Sequence, residues 1–407
     1  MSARKPIREH YDAVLDFTPL RAVPEAAYAL IKQTFTIRDG RCVPDLAVPL
    51  QHDLRDPDLS PAMPPGSDFW IHKVETDVVV RGSAYAPQGR PIAEMIASVS
   101  VGSRAKRIHV LGHRTLQWQD SGRPSFPRPE PFLDMPLTYD NAYGGIDPRM
   151  EMEPPASLEA LLDFDLCDYP GIYPRNVHGK GYLIQAHPIP GVPLPNLEHP
   201  EDRLTPERLC TGDPALWYRQ PLPWCFDWTN PLMFPRMAYL GLAPRFPVPS
   251  DVELPEVRQG YIAREALTQP PPDEVEQDDI PLGFYQEASL GMRHPELPAG
   301  TLIALTGMHP ERPELQFMVP PPPELQLHMD GAKVEAHVQL SHCVIVPHAL
   351  QVQLTYVALV VDMPRVLIPG VHKKIDYRLT VDGDSPIIYE APTPVLEQIT
   401  EESRHAG

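Results

Sequence analysis

The chain has 407 residues, 42% hydrophobic and 22% charged, so it can bury a sizeable core and is long enough for two or three ordinary domains. Asp and Glu total 54 against 35 Lys and Arg, a net charge of −19 that excludes nonspecific attraction to nucleic acid or anionic membranes, which need a positive field. The five cysteines (Cys42, Cys167, Cys210, Cys225 and Cys343) lie far apart with no C-x-x-C pair, which fits a reducing compartment and offers no structural zinc site.

No apolar h-region follows the charges of "MSARKPIREHYDAVLDF", and there is no run of about 18 apolar residues, so the expectation is a soluble, cytoplasmic protein. Proline is the outlier, with 54 residues in 407 against about 5% in average usage. Proline fixes φ and breaks helices. The hydrophobic share is too high for disorder, so the composition predicts short strands joined by long, rigid, extended loops.

"AYALIKQTFTIRDGRCV" predicts a strand, an Asp39-Gly40 turn and a second short strand. "VETDVVVRGSAYAP" alternates Val74, Thr76, Val78 and Val80, and "EMIASVSVG" alternates Met95, Ala97, Val99 and Val101. With "KRIHVLG" and "TLQWQD" they predict a meander of half-buried antiparallel strands. From about Arg123 to Ser250 the periodicity breaks down into turns and extended segments such as "PIPGVPLPNLEHP". One short helix is expected at "PPASLEALLDF", where Leu158, Leu161 and Leu162 share a face. Trp217, Trp224 and Trp228 crowd this region, which must therefore pack onto something, and a layer of loops over the first sheet is expected.

"QPPPDEVEQDDIP", Gln269 to Pro281, is acidic and proline-rich and has linker composition. Beyond it the β pattern resumes in "TLIALTG", "ELQFMV", "ELQLHMD", "KVEAHVQL", "ALQVQLTYVALVV" and "KIDYRLTV", with "VPPPPE" as a rigid corner. The expected fold is mainly β. It has two antiparallel sandwich- or barrel-like lobes, residues 1–250 with the loop layer and 286–407, joined by a connector at 251–285 and accompanied by a few short helices.

Motifs for chemistry mostly fail. "YPRNVHGKGY", Tyr173 to Tyr182, lacks the first glycine and the Ser/Thr of a phosphate loop, and a dinucleotide fingerprint would need glycine at Ile184. Its glycines instead suit positive φ or close backbone approach. His109 and His113 stand about 13 Å apart along a strand, and His337 and His342 fall on opposite faces of one, so no metal ligand set is expected. No G-x-S-x-G occurs. The richest polar cluster is "DMPLTYDNAYGGIDPR", where Tyr139, Asp140 and Asp147, with Arg175 and His178, offer an alternative reading as a β-sandwich hydrolase or carbohydrate-active enzyme. The same residues are those of a tight, hydrogen-bonded turn.

"AYALIKQTFTIRDG", "KVETDVVVRGSAYAP", "MPLTYDNAYGGIDPR", "YPRNVHGKGY", "VPLPNLEHP" and "PPDEVEQDDIPLGFYQEAS" occur in that order between Ala27 and Ser289, within a resemblance that runs from about residue 27 to residue 360. As a set they resemble a bacterial family, long labelled a domain of unknown function, that serves as type VI secretion effector adaptors. The resemblance implies a cytoplasmic, chaperone-like protein that binds a toxic effector and helps seat it on the VgrG spike, with no catalysis and no cofactor. Val177 stands where the family often has proline after Asn176, "LTYVAL" replaces a frequent Trp-Arg pair, and the last 40 or so residues match nothing in it. The motif positions expected to carry structure or interaction are Tyr139, Asn141, Tyr143, Gly144, Gly145, Tyr173, Arg175, Asn176, Gly179, Gly181, Pro195 and Asn196. Asn176 and Arg175 are expected to tie "YPRNVHGKGY" to the "NAYGG" turn, with positive φ at Gly179 and Gly181.

Overall fold

Alternating apolar residues build three sheets of four or more strands in the computed structural model, which describes residues 8–20, 23–51, 66–71, 73–150, 171–185, 188–231, 233–240, 247–268, 281–329, 331–360 and 375–391. The largest sheet has seven strands. Its order is Tyr11–Leu20, Val23–Arg38, Gln351–Val360, His337–Val346, Thr76–Val80 and Arg293–His294, with Arg41–Pro44 paired to the second. The second sheet runs Leu197–Glu198, Arg104–Leu111, Glu94–Val101, Leu302–Thr306, Glu314–Met318. The third runs Ala332–Val334, Leu325–Met329, Ile375–Val381, Ile387–Ala391. The chain is mainly β, as its composition predicts.

The Asp39-Gly40 turn forms where expected, with both residues at positive φ, +48° and +75°. Two-residue hairpin turns of this kind match the twist of the flanking strands. The predicted meander is corrected. Thr76–Val80 is buried along its whole length, not half-buried, because it lies inside the first sheet and runs parallel to His337–Val346. A strand covered on both faces reads as a continuous apolar run, which "DVVV" nearly is. "KVEAHVQL" also divides: Ala332–Val334 belongs to the third sheet and His337–Val346 to the first. The "VPPPPE" corner carries the chain from Glu314–Met318 in the second sheet to Leu325–Met329 in the third. Pro313 and Pro320 to Pro323 bracket the edge strand Glu314–Met318, where a missing amide hinders further strand pairing.

Strands from both expected lobes share the two large sheets. Thr76–Val80 pairs with His337–Val346, and Glu94–Val101 pairs with Leu302–Thr306. The first two sheets pack face to face over Val78, Val80, Ile345 and Leu354 on one side and Ala97, Val99, Ile108 and Phe317 on the other. The third sheet covers Ala29, Ile31 and Ala358 with Leu327, Leu379 and Val381. The loop region has a core of its own, centred on Tyr143, Tyr173, Tyr182, Trp217, Phe234 and Met237, so it is a packed layer and not a cover of loose turns. The expected helix at residues 154–164 and the stretch 269–280 of the acidic connector lie outside the described residues.

A cavity of ≈ 70 Å³ remains between the first and third sheets, lined only by apolar side chains that include the cross-strand pair Ala29 and Ala358. Such voids cost stability because their lining atoms lose dispersion partners. Ala358→Val is expected to raise stability by about 1 kcal/mol, read as a higher urea midpoint at unchanged slope.

Candidate functional site

The two motifs singled out in the sequence meet in space. Tyr143–Gly144 and Lys180–Gly181 form a short parallel pair. Asn176, with no exposed surface, donates its amide to the carbonyls of Tyr139 at 2.7 Å and Tyr143 at 3.1 Å, and its own carbonyl accepts from Gly145 N at 2.8 Å. The strands have no room for side chains here. A Cβ on Gly144 would stand 2.8 Å from Asn176 Cβ, and one on Gly179 would stand 2.7 Å from the Ala142 carbonyl and 2.9 Å from Gly144 Cα. Gly144, Gly145 and Gly181 have positive φ, +145°, +91° and +92°. Gly179 does not, so its requirement is close backbone approach and not the left-handed conformation expected of it.

Asn196 extends the knot to the second sheet. Its amide donates to Leu111 O at 2.9 Å, and its backbone N donates to Asn141 O at 2.8 Å. The Lys180 ammonium bridges Asn141 Oδ1 at 2.8 Å and Asn196 Oδ1 at 3.0 Å. Burial pulls the Lys180 pKa below its ordinary value, with Asp140 opposing. The Pro195 carbonyl accepts from Arg114 at 2.7 Å. Tyr143, Tyr173 and Tyr182 pack ring against ring, with centroids 5.1 and 5.3 Å apart. Burial raises the Tyr173 phenol to about 12, and its hydroxyl donates to Pro221 O at 2.8 Å.

Arg175 does not reach the "NAYGG" turn as expected. It forms a buried two-pronged pair with Glu256 on the Pro255–Arg258 helix, Nε to Oε1 at 2.6 Å and Nη2 to Oε2 at 3.2 Å, and stacks on Trp217. A planar guanidinium matches a carboxylate in this geometry. Nothing in the sequence marks Glu256 as its partner, because 81 residues separate them.

Tyr139, Asp140 and Asp147 share no hydrogen-bond partner among the described residues. Tyr139 is buried in the core between the sheets. Asp140 is exposed. Asp147 is spent on Arg149 and on Ile184 N, which donates at 2.9 Å. His178 lies near Asp140, and burial holds its pKa down to about 4. The loop tryptophans Trp217, Trp224 and Trp228 are all buried.

Sequence reasoning missed a second polar centre. Asp77, Glu287 and His342 offer ligand-type atoms that all lie within 4.8 Å of one another. The Lys73 ammonium bonds Asp77 Oδ2 and, at 2.9 Å, Glu287 Oε2, so an internal cation sits between the carboxylates. Gln286 donates to Asp77 Oδ1 at 3.0 Å, and His342 Nε2 lies 3.4 Å from Glu287 Oε2. Arg236 Nη1 is 3.7 Å from Glu287 Oε1, with its guanidinium over Trp70 and Phe284. Burial alone would raise both carboxyl pKa values. Lys73, supported by Arg293 near Asp77 and by His342 and Arg236 near Glu287, holds them below the usual range instead. The only sequence-level signal was an aspartate inside a buried strand.

Residues 24–357, most of the chain, match the family DUF2169, described as an uncharacterized protein conserved in bacteria. The chain belongs to this family. No curated protein and no solved structure matches it significantly. The family match spans both polar centres of this DUF2169 protein, the whole of its second sheet and parts of the first and third.

Asn176→Ala strands two buried carbonyls and is expected to cost about 2–3 kcal/mol, measured by chemical denaturation. Lys73→Met leaves two buried carboxylates without their cation and is expected to cost about 3–5 kcal/mol by the same measurement.

Acid should also destabilise the DUF2169 protein. Burial depresses the pKa of both His178 and His294 from 6.5 to about 4. The unfolded chain then binds more protons, so their contribution is complete above 6.5 and is lost as pH falls towards 4. Asp227 acts oppositely, because burial raises its pKa from 3.8 to about 6. The melting temperature is expected to fall across the histidine window, less steeply in His294→Gln.

Proposed function

We propose that this DUF2169 protein is a non-catalytic adaptor that binds a type VI secretion effector and helps load it onto the VgrG spike, acting in the cytoplasm. The ordered set of six segments that resembles the adaptor family supports this reading. So does the use the fold makes of those segments. Asn176, Asn196, Lys180 and the glycines spend their polar groups and their space on holding loops in one shape. That is the observation on which the reading rests. Loops fixed before docking lose little entropy when a partner binds, so they suit a recognition surface. The acidic balance favours a basic partner patch and discourages wrong partners.

The hydrolytic alternative relied on Tyr139, Asp140 and Asp147 acting together, and these lie in a core, at the surface and in an Arg149 pair respectively.

The test is co-purification from the source bacterium. The tagged protein is expected to bring down an effector and a VgrG-type spike protein; recovery of neither from cells producing both would sink the proposal. Because the loop tryptophans are buried, partner contacts fall to exposed apolar side chains such as Leu133 and Leu282, 53% and 50% exposed. Leu133→Asp and Leu282→Asp are expected to leave the melting temperature unchanged, and one or both to weaken capture at least tenfold.

A further inference from the structure

A cavity of ≈ 30 Å³ lies where the loop core meets the edge of the first sheet. Its polar lining is Tyr139, Arg175, Thr229, Glu256, Tyr261 and Arg293. A water needs about 10–15 Å³ of such space, so one or two fit and a metabolite does not.

The hydrogen-bonding capacity of the walls selects the occupant. Arg293 is 6% exposed, lies over the Tyr261 ring and donates one guanidinium nitrogen to Gln286 O at 3.3 Å. Its Nε is buried and finds no acceptor among the described residues. A buried guanidinium N–H without a partner carries a desolvation cost. Tyr261 cannot relieve it from its hydroxyl, which donates to Ser289 O and accepts from the backbone of Met292 and Arg293. Glu256 accepts one bond at each oxygen from Arg175 and retains lone pairs. Arg293 Nε needs an acceptor, and an occupant that can also donate finds one in Glu256. A halide cannot donate, and a metal ion would face two guanidinium groups.

We propose that one or two ordered water molecules occupy this cavity, accept from Arg293 Nε and donate to Glu256, joining the Arg175–Glu256 pair of the loop core to the Arg293–His294 strand. The site is a wet seam where the loop core meets the first sheet. It is independent of the adaptor reading.

The test is a crystal structure of the full chain at a resolution that shows water, from crystals grown with bromide replacing chloride and measured at the bromine edge. One or two water-sized peaks within hydrogen-bond distance of Arg293 Nε, without anomalous signal, are expected. A featureless cavity overturns the proposal, and so does an anomalous peak there, which would assign the site to an anion. In Arg293→Met the peak nearest position 293 should vanish while other buried waters persist; its persistence would show that Arg293 does not hold it. If that variant fails to fold, the wild-type map still decides.

Discussion

Each proline brings a carbonyl to the fold and no amide N–H, so a proline-rich segment holds more acceptors than its own backbone can satisfy. The structure depends on meeting that surplus. Side chains that only donate, or that carry spare donors, serve the carbonyls that ladders cannot reach. Asn141 serves Pro136, Arg114 serves Pro195, Tyr173 serves Pro221, and Arg264 serves Pro249. Arg236 serves Phe284, and Lys106 serves Cys225. Buried backbone groups in native proteins are nearly always paired. With few helices and short ladders in the loop region, long donors are the remaining means.

The same demand explains why so many cations are buried in an acidic chain. Arg175, Arg236, Arg293, Lys73 and Lys106 are all largely inaccessible. Each reaches across elements distant in sequence, and carboxylates follow them inward: Glu256 beside Arg175, and Asp77 and Glu287 around Lys73. Lys106 has no carboxylate partner among the described residues and instead donates to Ser289 at 2.9 Å with its ammonium over Trp224, and burial lowers its pKa to about 7. These contacts connect the loop core to both large sheets. A surface built on them is held at many points, which is the property the adaptor reading needs.

Local features were legible where the physics is local. The Asp39-Gly40 turn, the alternation of "EMIASVSVG" and the loss of period after Arg123 follow from φ preferences and side-chain spacing. The roles of Asn176 and Gly144 were partly legible, since glycine and asparagine in one segment signal tight backbone packing. Partner choice was not. Arg175 finds Glu256 and not the turn beside it, and His342 joins Asp77 and Glu287, because long-range pairing is set by which strands become neighbours. Gly179 misled for another reason: sequence shows that glycine is present, but not whether backbone angle or missing volume demands it.

The amino-acid sequence alone determined a mainly β chain with stiff connections, through the period of its apolar residues and the geometry of proline. Tertiary structure alone decided that strands from both ends of the chain interleave in shared sheets, that "DVVV" runs parallel to a neighbour inside one, and that the acidic segment does not divide the strands into two sets. Strand order depends on burying every apolar face at once, and that condition belongs to the whole fold and to no segment of it.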